Sequence, residues 1–189
     1  MFSNGKNLTT IASLNSQIFR LPNLPINNML IGILSDTHDS LVCIKQAIEF
    51  FNLRNVNLVL HCGDIFSPSA AQEFAKLNCG FKAVFGNNDF ERAALENIIS
   101  SFGIIKPEPF EFTIENKKFV MSHRPLLHVS KEYNYIFYGH THKPKIEKSE
   151  ETLFLNPGEA CGSRYGRKTV ALLNASNNIA EIFDLDSFL

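Results

Sequence analysis

Nowhere does this 189-residue chain hold the ~18 consecutive apolar residues that a membrane-spanning helix needs. No membrane partner is therefore expected. An excess of charge is also missing: 18 Lys and Arg stand against 19 Asp and Glu, for a formal net charge of −1. Without a basic field to attract a polyanion, the chain is not expected to bind duplex nucleic acid. Cysteine is sparse, and Cys43, Cys62, Cys79 and Cys161 include no C-x-x-C pair. That argues against a thiolate-based structural zinc site and for buried free thiols of a reducing compartment, hence a cytoplasmic location. Cys62, two residues before Asp64, is read as such a thiol rather than as a ligand. Residues 1–28 lack a basic segment leading into an apolar run, so a secretory signal is not expected. They carry only Lys6 and Arg20 as charges, and read as a flexible extension or as a mis-assigned start with Met29 as initiator.

What is present is the composition of a soluble globular protein, 44% hydrophobic and 20% charged, with residues 29–189 read as a single domain. From Met29 the pattern alternates strand and helix. Leu41, Ile44, Ile48 and Phe51 form one apolar helical stripe. Ser67-Pro68 supplies a hydroxyl cap and a first-turn proline for a second helix, which Asn78-Cys79-Gly80 stops. A third helix from about Glu91 presents Leu95, Ile98 and Phe102 and ends at Gly103. Helices of this length between strands imply right-handed crossovers and a parallel sheet. After Gly103 strands dominate: a hairpin over 110–114 and 118–121, then strands over 134–138, 144–148, 152–155, 168–173 and 179–183. The expected fold class is α/β (α+β), with two facing mixed sheets and helices outside.

Five apolar runs end in clusters of Asp, His and Asn. Residues 29–34 lead to Asp36-Thr37-His38, 58–60 to His61-Cys62-Gly63-Asp64, and 81–85 to Gly86-Asn87-Asn88-Asp89. Residues 119–121 lead to Ser122-His123, and 135–138 to Gly139-His140-Thr141-His142. Ligands of open α/β sheets gather beyond the carboxyl ends of strands, so the five clusters predict one convergent metal site. Singly each is weak, because a carboxylate there can cap a helix and Gly-Asn-Asn-Asp can be a turn. In extended chain, residues two apart project to the same side, which would let Asp36 with His38, and His140 with His142, converge on one or two ions. Glycines at 63, 86 and 139 let the backbone bend or approach metals closely. Mixed imidazole and carboxylate ligands suit Mn2+, Ni2+, Co2+, Fe or Zn2+ better than Mg2+.

Taken in order, Asp36-x-His38, Gly63-Asp64, Gly86-Asn87-Asn88-Asp89, His123 and Gly139-His140-Thr141-His142 resemble calcineurin-like metallophosphoesterases, in particular the small YfcE-like phosphodiesterase branch. The resemblance spans about residues 29–185 and implies a four-layer α-β-β-α sandwich. It implies one divalent ion on Asp36, His38, Asp64 and His142, and a second on Asp64, Asn87, His123 and His140, with Asp64 bridging. Mn2+ is the first expectation. It also places Asn156-Pro157-Gly158 in a loop near the site. Ions ~3.5–4 Å apart can share a hydroxide with a pKa near 7 that attacks phosphorus in line. The reading is thus a hydrolase of a small soluble phosphodiester. The alternatives are a phosphomonoesterase or dinucleotide polyphosphate hydrolase, which would need more cationic groups, and a non-catalytic scaffold on the same fold.

Two departures from the family pattern matter. Where many members have a histidine after the asparagine ligand, this chain has Asn88, which cannot donate a proton to a leaving group. Where relatives often have Gly-His after His123, it has Arg124-Pro125. Arg124 either clamps a phosphate oxygen or is a solvated surface arginine. His61, Asp89 and Arg92 are read as supports of the loops, and His128 as a candidate proton donor.

Overall fold

The computed structural model describes Ile26, residues 29–126 and residues 132–188. The proposed extension (Ile26 apart) and His128 lie outside the described residues. Two mixed sheets face each other. The first has the order β11-β10-β1-β2-β3-β4 and the second β5-β6-β7-β9-β8. The first sheet comprises β1 (Leu30–Leu34), β2 (Leu58–His61), β3 (Gly80–Val84), β4 (Ile104–Lys106), β10 (Thr169–Asn174) and β11 (Ile179–Asp184). The second comprises β5 (Phe110–Ile114), β6 (Lys117–Met121), β7 (Tyr135–Phe137), β8 (Lys145–Ser149) and β9 (Thr152–Asn156).

Strands β1 to β4 run parallel, with Leu34 in register with His61 and His61 with Ala83. Strands β6, β7 and β9 are also parallel, with Met121 beside Phe137 and Phe137 beside Leu155. The carboxyl ends of each parallel group therefore form one edge. The alternating side chains of β1 explain the layering: Ile31 and Ile33 point to the inter-sheet core, while Leu34 points to the helices. Phe119, Met121, Tyr135, Phe137, Leu153 and Leu155 meet Ile31, Ile33, Leu58 and Leu60 in that core. Each fully buried side chain of this size contributes roughly 1.5–3 kcal/mol.

The helices are α1 (Leu41–Leu53), α2 (Pro68–Glu73), continued by a 3₁₀ turn at Phe74–Lys76, and α3 (Arg92–Ile99). They cover the outer face of the first sheet with Ile44, Ile48, Phe51, Ala70, Ala71, Leu95 and Ile99. This matches the expected two facing sheets with helices outside, and among the described residues the α-helices all lie on the first sheet. The Ser67 hydroxyl accepts from the Ala70 N–H at 3.3 Å and caps α2, with Pro68 in the first turn. No helix among the described residues is long and apolar enough to cross a membrane.

Three local expectations shift. Helix α3 ends at Ile99, so Phe102 lies beyond it, and its buried residues are Leu95, as expected, and Ile99 in place of Ile98. Strand β4 went unforeseen, because three residues directly after a helix carry too little pattern to read. All four cysteines are free, yet only Cys43 and Cys62 are buried, and Cys79 and Cys161 are half-buried.

Candidate metal centre

The loops after β1 and β2 are knitted together by their backbones. Asp36 N–H donates to Gly63 O at 3.0 Å, and the N–H groups of Thr37 and His38 both donate to Asp64 O at 3.1 Å. Across the sandwich, His140 N–H donates to Asp36 Oδ2 at 3.0 Å, and Ala160 N–H to Ser35 O at 3.0 Å. The turns are tight. Asp36, His38, Asp64, His140 and His142 all have positive φ, between 42° and 65°. Such conformations cost of order 1–3 kcal/mol each in a non-glycine residue and persist when the surroundings hold them. The paired residues therefore converge through left-handed turns, not through the extended backbone that the spacing argument assumed. Gly86 shows how close the loops come: a Cβ there would lie 2.1 Å from Asp64 Oδ1. At Gly139 it would lie 1.9 Å from Ser35 Oγ.

The other six candidate ligands fall around Asp64. His38 Nε2 is 3.8 Å from Asp36 Oδ1 and 3.7 Å from Asp64 Oδ2, and His142 Nε2 is 3.4 Å from Asp36 Oδ1. On the other side of Asp64, His123 Nε2 lies 3.5 Å from Asp64 Oδ2, 2.9 Å from Asn87 Oδ1 and 3.2 Å from His140 Nδ1. Asp64 Oδ2 thus stands between two groups of donors. Asp36, His38 and His142 form one cluster of ligand atoms within 4.8 Å of one another, and Asp36, Asp64 and His123 another.

Tautomers make the fit to cations specific. His123 Nδ1 faces Cys62 O at 2.9 Å, so it carries the proton and leaves a lone pair on Nε2. His142 Nδ1 faces Glu159 Oε2 at 2.7 Å, which likewise puts a lone pair on the Nε2 aimed at Asp36. The buried Asp36 Oδ1 and His38 Nε2 have no hydrogen-bond partner. Acceptors directed at acceptors in a buried site repel, and cations between them resolve that repulsion. The donor set of imidazole, carboxylate and amide oxygen therefore fits divalent transition metals. Burial raises the Asp36 carboxyl above its ordinary range, and lowers His140, with the His123 charge adding to that lowering.

Around these atoms stands a ring of supports. Asp89 Oδ2 accepts from Asp64 N–H at 3.1 Å and Gly86 N–H at 2.7 Å, and its Oδ1 accepts from Phe66 N–H at 2.7 Å. Arg92 Nε reaches back to Asp89 O at 3.4 Å. Asn88 donates twice to Asp64, from its backbone N–H to Oδ1 and from its side-chain amide to Oδ2, both at 2.8 Å. His61 accepts the Gly63 N–H on Nδ1 at 3.1 Å, so its Nε2–H faces Thr37 Oγ1, also at 3.1 Å. Burial holds that imidazole neutral, with its pKa lowered to about 3. Asn156 Nδ2 donates to Gly139 O at 2.8 Å and to Thr141 Oγ1 at 3.0 Å, bracing the turn with the two histidines. Cys62 is a core thiol, raised well above its ordinary pKa by burial.

Arg124 is placed differently. Its half-exposed guanidinium pairs with Glu108 Oε1 at 2.9 Å, while Glu108 Oε2 takes the N–H groups of His123 and Arg124. Glu108 and Glu159 were not singled out from the sequence. Glu108 sits between two prolines with no pattern to mark it. Glu159 could have been found as the carboxylate that follows Asn156-Pro157-Gly158. It is buried and accepts from His142, from the Arg164 N–H and from the Tyr165 N–H. Burial alone would raise its carboxyl, but these hydrogen bonds prevail and hold it below its ordinary value.

The chain is similar to known proteins in sequence and fold. A phosphodiesterase of Methanocaldococcus jannaschii is 39% identical over 158 residues, covering 77% of this chain and 93% of its own length. The solved structure of an archaeal phosphodiesterase superposes with a TM-score of 0.76 at 36% identity, covering 82% of this chain and all but 1% of the other (99%). YfcE, a phosphoesterase from E. coli, shares the fold with a TM-score of 0.60 at 16% identity, over 83% of this chain and 100% of its own. Residues 29–178 match the calcineurin-like phosphoesterase superfamily domain, and the chain belongs to that superfamily.

Proposed function

We propose that this metallophosphoesterase is a phosphodiesterase acting on a small soluble diester with two divalent ions at the site, Mn2+ foremost, and that it works in the cytoplasm. Asp36, His38, Asp64 and His142 would hold one ion, and Asp64, Asn87, His123 and His140 the other. The observation that carries this reading is the set of buried lone pairs facing one another across Asp64 Oδ2. When bound, such ions supply Lewis acidity toward the phosphoryl oxygens and an activated water for in-line attack. Against their positive charge the ligand set offers only the carboxylates of Asp36 and Asp64, which leaves the centre attractive to a phosphate ester.

The chain's own residues do the positioning. Asn88 fixes both oxygens of Asp64, so that carboxylate stays between the two sites. Because its amide donates to Asp64 and holds no transferable proton, the departing alkoxide receives none from this position. Esters whose leaving groups are already good anions are therefore preferred. A monoester would call for free cationic groups at the rim. Arg124 is instead paired with Glu108. That favours the diester over the monoester and polyphosphate readings. A scaffold would not need seven competent ligand side chains turned inward.

The test is metal analysis of the purified protein joined to hydrolysis of bis(4-nitrophenyl) phosphate with each candidate ion. Turnover that needs added metal and disappears in Asp64→Ala supports the reading. Metal-independent turnover, or none with any ion, refutes it.

A further inference from the structure

Phe66 follows Asp64 by two residues, and three features set it apart. Its φ is +92°, a conformation that a bulky side chain adopts at a cost. The residue is 38% exposed and belongs to neither apolar cluster, so core packing does not account for the strain. Its backbone is pinned by Asp89 Oδ1, the carboxylate whose other oxygen holds Asp64 and Gly86. The strained turn therefore presents a water-facing aromatic ring on the same rigid support as the candidate metal ligands. The ring lies edge-on to His38, with centroids 5.9 Å apart and planes at 60°. His38 in turn stacks on His142 at 5.3 Å. Phe66 thus borders the first ligand cluster and is partly open to solvent.

Resting on the phosphodiesterase reading above, we propose that Phe66 sets substrate specificity: a flat aromatic group, aryl or nucleobase, on the ester that stays on phosphorus stacks on its ring while the phosphate lies at the centre. Aromatic rings prefer offset or edge contacts with other π-systems, and stacking a base on an aromatic side chain tolerates any base. An exposed phenyl ring with no hydrogen-bonding group selects for planarity, not for a particular polar pattern.

The experiment holds the leaving group constant and varies the retained one. Methyl, phenyl and thymidine 5′-(4-nitrophenyl) phosphates are compared with the full-length Mn2+-loaded protein, in wild type, Phe66→Leu and Phe66→Tyr. Leucine keeps an apolar side chain under the same backbone demand but lacks a π-face, and tyrosine keeps the ring. The kcat/KM ratio of aromatic to methyl ester should fall about tenfold in Phe66→Leu and be retained in Phe66→Tyr. A fall confined to the thymidine ester assigns a nucleobase, and a fall for both aromatic esters assigns any flat ring. An unchanged ratio in Phe66→Leu overturns the proposal while leaving the phosphodiesterase reading intact. If wild type hydrolyses none of the three, that parent reading fails and this one falls with it.

Discussion

His142 Nδ1 and Glu159 Oε2 meet at 2.7 Å, where a buried carboxylate orients an imidazole whose other nitrogen faces Asp36. A carboxylate behind a metal-binding histidine fixes its tautomer and raises its basicity, and losing such a partner typically costs 10–100-fold in metal affinity. Glu159→Gln should therefore weaken metal binding about tenfold, and Glu159→Ala should weaken it further. Isothermal titration with Mn2+ measures this. Unaltered affinity in both variants would show that the hydrogen bond contributes nothing to the centre.

Asp64 faces both ligand groups, so its removal should affect both proposed ion sites together. Metal bound only by the folded state stabilises it by about 2.7 kcal/mol at 100 times the dissociation constant. A chelator should lower the melting temperature of wild type by several degrees and leave Asp64→Ala unmoved. A variant that still gains stability from metal would place the principal site elsewhere.

His61 adds an acid sensitivity whose sign can be worked out. Burial, with the His123 and His38 charges behind it, lowers the folded pKa to about 3, against ~6.5 in the unfolded chain. Above pH ~6.5 both states are neutral there and His61 adds no pH dependence. As pH falls from there toward 3, only the unfolded state takes up the proton, so stability drops by roughly 1.4 kcal/mol per pH unit. The stability gap between metal-free wild type and His61→Gln in urea should narrow by about 2 kcal/mol from pH 7.5 to pH 5. An equal gap at both values would rule out a neutral buried imidazole.

Asn88 leads to a kinetic expectation. Across substituted aryl diesters, kcat should fall as the leaving-group pKa rises, because nothing beside Asn87 protonates the departing oxygen. A flat dependence would point to a general acid from another part of the chain.

Much of this was open to a reader of the sequence, for a local reason. A buried strand is a short apolar run, and a polar cluster at its end needs no knowledge of the rest of the chain. The five runs before Asp36, Asp64, Asn87, His123 and His140 correspond to β1, β2, β3, β6 and β7. Strand β4 escaped because its three residues pair with β3 and carry no period of their own. Asp36 and His38 do converge, but through positive φ at both residues and not through extended chain.

The order of chemical groups along the chain thus determined which strands exist and which side chains stand at their ends. Tertiary structure alone decided how those ends are turned. It split His140 from His142, placing the first beside His123 and the second beside Asp36. It also put Glu159 behind His142, Glu108 on Arg124, and Phe66 at the rim with its ring toward water. The physical reason is that positive-φ turns and buried carboxylates are unfavourable for any segment alone. They persist only where other groups hold them: Asp89 takes the Asp64 N–H from another loop as well as that of its neighbour Gly86, and Glu159 takes the nearby Arg164 and Tyr165 N–H groups while it holds His142 across the site.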